Sequence, residues 1–86
     1  SSNHLKEQLE LELTKNELKL FGESFYTEIK WDRFFKIVEQ KSWFLMYQNN
    51  LSAIIIPKKD LSPDQLKEIK EIVYGIKNIP VSLQDD

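Results

Sequence analysis

The chain has 86 residues, a formal net charge of −2, 41% hydrophobic and 12% aromatic residues, and no cysteine. A single domain of this size buries only roughly 60–65% of its unfolded surface, so without disulfide staples its stability rests on packing around the aromatics. The composition is globular, a thiolate metal site has no ligands, and the slightly negative charge sets up no field that would draw in nucleic acid.

Cysteine usage fits a reducing compartment. No run approaches the roughly 18–20 apolar residues of a membrane span. The longest, Trp43 to Tyr47, has five. The first residue is Ser and the single methionine is Met46, so a piece of a longer protein is expected. Ser1 and Ser2 are set aside as an expression scar, and residues 1–7 are read as a linker or expression remnant.

Taken in chain order, residues 8–13 alternate Leu9, Leu11 and Leu13 against Glu10 and Glu12, which predicts a strand with one buried and one wet face. Thr14-Lys15-Asn16 turns the chain, and Leu18 and Leu20 repeat the alternation to complete a hairpin. After the break at Gly22-Glu23, Phe25, Thr27 and Ile29 alternate against Tyr26 and Glu28 in a third strand. Trp31, Phe34 and Phe35 then recur at i, i+3 and i+4, the spacing of a short helical turn. Ile37 to Gln40 is again extended, and Lys41-Ser42 turns.

Trp43–Gln48 and Leu51–Ile56 form a second hairpin rich in aromatic and β-branched residues, with a type I′ turn expected at Asn49-Asn50. Ile54-Ile55-Ile56 is apolar on both parities and predicts a strand covered on both sides. Pro57 ends it, having no amide hydrogen for the ladder. A helix follows. Ser62 is its N-cap, Pro63 its first residue, Gln65 completes a capping box, and Leu61 with Leu66 make a hydrophobic staple. Leu66, Ile69, Ile72, Val73 and Ile76 line one face, and Asn78 and Pro80 are expected to stop it. Val81 to Asp86 has no pattern and is expected to fray.

Ile29-Lys30-Trp31, Ile37-Val38-Glu39, Trp43-Phe44-Leu45-Met46-Tyr47 and Ile54-Ile55-Ile56-Pro57-Lys58 leading to Leu61-Ser62 together resemble the C-terminal domain of the bacterial YcxB-like proteins, over roughly residues 8–77. The resemblance implies a parent with two transmembrane helices preceding a soluble domain, and assigns no catalytic residues. It also implies a pleckstrin-homology-like superfold, a half-open antiparallel barrel closed by a C-terminal helix. A complete domain of that type has seven strands, so the resemblance implies two more, lying before the membrane spans, or an open edge that pairs with another copy.

The chemistry-bearing inventory is thin. His4 is the single histidine and precedes the first strand, so neither a histidine-based nucleophile pair nor a zinc site can be assembled. Asp64 is explained by the helix dipole and Asp60 by its turn; Gly22 and Gly75 are too isolated for a phosphate loop. Trp43, Phe44 and Tyr47 read as core aromatics rather than a nucleic-acid stacking platform. Lys30, Arg33 and Lys36 around the helical turn, and Lys58 and Lys59 before the helix, would form one basic patch beside Trp31 if they meet in space.

The expectation is therefore an α+β domain over residues 8–78 with a tail over 79–86. It comprises about five antiparallel strands in a half-barrel, one short helical turn after the third strand, and a C-terminal helix packed on the sheet. Leu11, Leu13, Leu20, Trp31, Phe35, Phe44, Ile55, Leu66, Ile69 and Val73 are the expected core. Function is expected to be non-enzymatic and free of cofactor, metal, small-molecule substrate or nucleic acid. It would act by protein interaction or by self-association through an open sheet edge, at the cytoplasmic face of a bacterial membrane. The alternative is contact with anionic lipid or phosphate head groups through Lys30, Arg33, Lys36, Lys58 and Lys59.

Overall fold

The computed structural model describes residues 10–84. His4, the linker over 1–7, the first two residues of the strand expected over 8–13 and the last two of the tail lie outside the described residues. Among the described residues there are seven strands: β1 (Glu10–Leu13), β2 (Glu17–Phe21), β3 (Tyr26–Lys30), β4 (Lys36–Glu39), β5 (Trp43–Tyr47), β6 (Ala53–Pro57) and β7 (Val81–Ser82). One helix, α1 (Pro63–Tyr74), lies between β6 and β7, and short 3₁₀ turns occupy Trp31–Arg33 and Lys58–Asp60. The strands form two sheets, β1-β2-β3 and β6-β5-β4-β7.

Alternation dictates the first sheet. Leu11, Leu13, Leu18, Leu20 and Ile29 turn toward the core, while Glu10, Glu12, Lys19, Glu28 and Lys30 occupy the other parity. The register sets Lys19 opposite both Glu12 and Glu28, so unlike charges face one another across the strands. The β1–β2 turn is held by Thr14, whose hydroxyl accepts from the Glu17 amide at 3.0 Å and donates to the Glu17 carbonyl at 3.1 Å.

Trp31 ties this hairpin to the second sheet. Its ring is buried, its indole N–H donates to the Thr14 carbonyl at 2.8 Å, and its amide donates to the Asn16 carbonyl at 3.1 Å. The turn that it opens closes after three residues, because Phe34 already has extended ψ at 151°. The backbone then returns to period two. Phe34 is consequently buried and Phe35, expected in the core, is 49% exposed.

In the second sheet Ile37, Phe44, Met46 and Ile56 face inward and are buried with Ile69 and Val73 of α1. Leu11, Leu13 and Leu66, expected in the core, are half-buried at its margin. Ile55 was expected in the core as well, and the strand Ile54-Ile55-Ile56 was expected to be covered on both sides. The finding is otherwise: Ile56 is buried while Ile55 is 57% exposed, because the helix covers one face of the sheet only. Trp43 shares that uncovered side and is also exposed, and Tyr47 is half-buried.

Three further local expectations are corrected. The β5–β6 connection is not a type I′ turn, which needs positive φ at both central residues, for no described residue has positive φ. Instead the connection runs over 48–52, with the Asn49 carboxamide oxygen accepting from the amides of Leu51 at 2.8 Å and Ser52 at 3.0 Å. The helix ends at Tyr74 rather than at Asn78, because Gly75, a poor helix former, is its C-cap and the chain turns there. Val81-Ser82, expected to fray, pairs in parallel with Ile37-Val38.

The strand count is thus seven rather than about five, and one of the pairings is parallel. Lys36–Glu39 is a paired strand in its own right, and β7 is too short for any periodicity to reveal it. The start of α1 is as expected: Ser62 Oγ accepts from the Gln65 amide at 3.1 Å, and Gln65 Oε1 accepts from the Ser62 amide at 2.9 Å.

Candidate functional site

The second sheet carries two features that are not ordinary packing. The first is inside. Glu39 occupies an inward position of β4, in phase with Ile37, and is the one charged residue among the described residues that is buried. Its Oε2 lies 2.7 Å from Lys58 Nζ and 3.4 Å from Lys70 Nζ. Its Oε1 accepts from the Gln84 amide at 2.8 Å, and Lys70 Nζ in turn donates to the Gln84 carbonyl at 3.2 Å. Burial by itself raises the carboxyl pKa. The Lys58 hydrogen bond, the Gln84 amide and the charges of Lys58 and Lys70 together outweigh it and hold the group below its ordinary value of 4.5.

Both carboxylate oxygens therefore have partners within the protein. The arrangement is a clasp. It joins β4, the turn after β6, α1 and the segment after β7 through one buried charge. A carboxylate in phase with Ile37, on the inward parity of β4, was a legible signal for a buried partner, and sequence reasoning passed it over.

The second feature is outside. The register aligns Val38 with Leu45 and Ile55, and Tyr47 with Lys36 and Ala53, on the parity opposite to the buried residues. Trp43 and Pro57 extend the same side. The outward positions of β4, β5 and β6 are thus apolar except for Lys36, and carry no carboxylate. The Lys36 ammonium lies over the Tyr47 ring at 4.5 Å from its centroid. The Trp43 indole N–H donates to Gln40 Oε1 at 2.6 Å, at the border of the face.

The five basic residues singled out from the sequence are not gathered into one patch. Lys36 lies at the Tyr47 end of β5, where the Phe35 amide also donates to the Tyr47 carbonyl, and Lys30 and Arg33 precede it. Lys58 and Lys59 follow Pro57 at the Trp43 end. Four residues of strand separate those ends, roughly 13 Å at about 3.3 Å per residue. Lys58 is committed to Glu39, whereas Lys30, Arg33 and Lys59 are exposed.

An open groove of about 1010 Å³ runs between α1 and the C-terminal segment, lined by Leu66, Tyr74, Ile79, Val81 and Leu83 with Lys70 among its polar members. Among the described residues no group of three His, Cys, Asp or Glu side chains is placed to hold a metal ion, and no helix is long and apolar enough to cross a membrane.

Against known families, the model of the YcxB-like protein family matches residues 14–73, which covers both sheets apart from β1 and β7 and reaches almost to the end of α1. The chain belongs to the YcxB-like protein family. Comparison with curated proteins finds no match, and comparison with solved structures finds none either. The match contains the whole apolar face and both Glu39 and Lys58, while Gln84, the clasp's third anchor, lies beyond it.

Proposed function

We propose that the chain is a non-enzymatic interaction domain, and that its working surface is the outer face of the β4–β6 sheet. One observation carries this reading: Val38, Leu45, Tyr47, Ala53 and Ile55 share the sheet parity opposite the buried residues and, although apolar, stay half-buried to exposed. Exposed apolar surface gathered on one face and rimmed by polar residues is the kind that binding sites use. The outer side of the first sheet is by contrast mainly charged, with the exposed Phe21–Tyr26 ring pair at one end of it.

Two sheets of three and four strands with a late helix support a pleckstrin-homology-like half-barrel, in which β7 is an addition following the helix. In keeping with the family resemblance, we place the domain in a membrane-anchored bacterial protein, facing the cytoplasm. Pairing of two copies along an open sheet edge is a second form that the interaction could take: among the described residues β6 ends the second sheet and has one unpaired side.

Amide spectra recorded across protein concentrations, and again across a lipid titration, test the reading. Shifts concentrated in β4, β5 and β6 are expected in at least one series. Spectra unchanged in both would overturn it.

A further inference from the structure

We propose that the outer face of the second sheet is a membrane-docking surface, seating on a bilayer that carries anionic lipid; this rests on the interaction-domain reading above and names its partner. The chemistry of the face is that of a bilayer boundary. Trp43 and Tyr47 are amphipathic rings of the kind that settle at head-group depth, and Val38, Leu45 and Ile55 supply aliphatic surface between them. Trp43 is 42% exposed and Ile55 57%, so both have surface left to bury. The Trp43 N–H points to the Gln40 side chain at the border, which keeps its polar end away from the apolar centre.

The charge around the face matches an anionic surface. Lys36 lies on it, with its ammonium over the Tyr47 ring at the edge of the strand. In sequence, Arg33, Lys41 and Lys59 adjoin the ends of its strands with Asp32 and Asp60, so with Lys36 four cations stand against two anions. The outer positions of the first sheet hold the reverse, Glu10, Glu12, Glu17 and Glu28 against Lys19 and Lys30. A molecule with this polarity is turned by a negative surface so that the second sheet faces it.

Area argues against a second copy as the occupant. Strand β4 has four residues and β5 and β6 five each, so together they cover a footprint of about 220 Å². A stable protein dimer removes about 800 Å² per partner from water. A bilayer imposes no such threshold, because partial burial of a few rings adds to the attraction of each nearby cation.

The test is tryptophan emission of the full chain with phosphatidylcholine vesicles, with and without phosphatidylglycerol. Trp31 is only 3% exposed, so a change in emission reports Trp43. A blue shift with the anionic vesicles is expected, weak without phosphatidylglycerol and reduced by added salt. Ile55→Glu should lower partitioning about tenfold, and Lys36→Glu by a similar factor, with amide spectra showing that both variants stay folded. Absence of a blue shift in folded wild-type protein, or binding that Ile55→Glu leaves unchanged, overturns the proposal. Sedimentation without lipid separates the two layers of inference. A dimer abolished by Ile55→Glu, with no vesicle binding, would sink the membrane partner and keep the interaction face; neither dimer nor vesicle binding would sink both.

Discussion

Lys58 and Glu39 meet at 2.7 Å across 19 residues of chain, with the Glu39 side chain only 2% exposed. The pair is unlike a surface ion pair, because one partner is fully desolvated and its remaining oxygen holds the Gln84 amide. Lys58 and Lys70 are less enclosed, at 19% and 18% side-chain exposure, so either ammonium can reach water if the carboxylate is lost. Glu39→Ala should therefore cost about 2–3 kcal/mol, below the range for stranding a deeply buried charge. Glu39→Gln, which keeps an acceptor for the Gln84 amide, should cost less. Urea unfolding of the two variants checks the order, and equal losses would show that the acceptor is immaterial.

The same carboxylate predicts how stability depends on pH. Its folded pKa is held below 4.5, so the unfolded chain binds the proton more tightly. The stabilisation is present above the unfolded value and is lost as pH falls through the folded one. Wild-type unfolding midpoints should decline between about pH 5 and pH 3, and Glu39→Gln should decline less. Parallel curves for the two proteins would assign the acid sensitivity to other carboxylates.

At the helix start, Ser62 and Gln65 exchange hydrogen bonds at 3.1 and 2.9 Å. Ser62→Ala removes one of the two and leaves the Gln65 amide without its side-chain acceptor. A loss of about 1 kcal/mol is expected in urea unfolding. A change near zero would mean that water replaces the hydroxyl at no cost.

That cap was legible because its chemistry is local: four adjacent residues specify it. The strands of the first hairpin were legible for the same reason, as alternation is a property of each strand alone. What escaped depends on partners distant in sequence. Ile55 and Ile56 look alike in the chain, and only the position of α1 decides which is covered. Phe35 was misplaced by a helical spacing that the backbone abandons one residue earlier, at Phe34. The gathering of Lys30, Arg33, Lys36, Lys58 and Lys59 into one patch required the β5 register, which sets Lys36 and Pro57 at opposite ends of the strand. Strand β7 has two residues and exists because β4 offers it an edge.

That last dependence yields a prediction about dynamics. β7 pairs with Ile37 and Val38, and the Ile37 amide donates to the Pro80 carbonyl at 3.1 Å. So short a strand buries little, and two residues beyond it the Gln84 amide adds a second attachment at Glu39. The C-terminal segment should accordingly open in a step smaller than global unfolding. By native-state hydrogen exchange, the amides of Ile37 and Gln84 should exchange through that lesser opening, while those of β5 exchange only with global unfolding. In Glu39→Ala the Gln84 amide loses its acceptor directly, and Ile37 should lose protection with it if the clasp is what keeps β7 on its edge. Protection of Ile37 that tracks β5 in the variant would instead show that the strand pairing and the inward packing of Val81 and Leu83 hold the segment without the clasp.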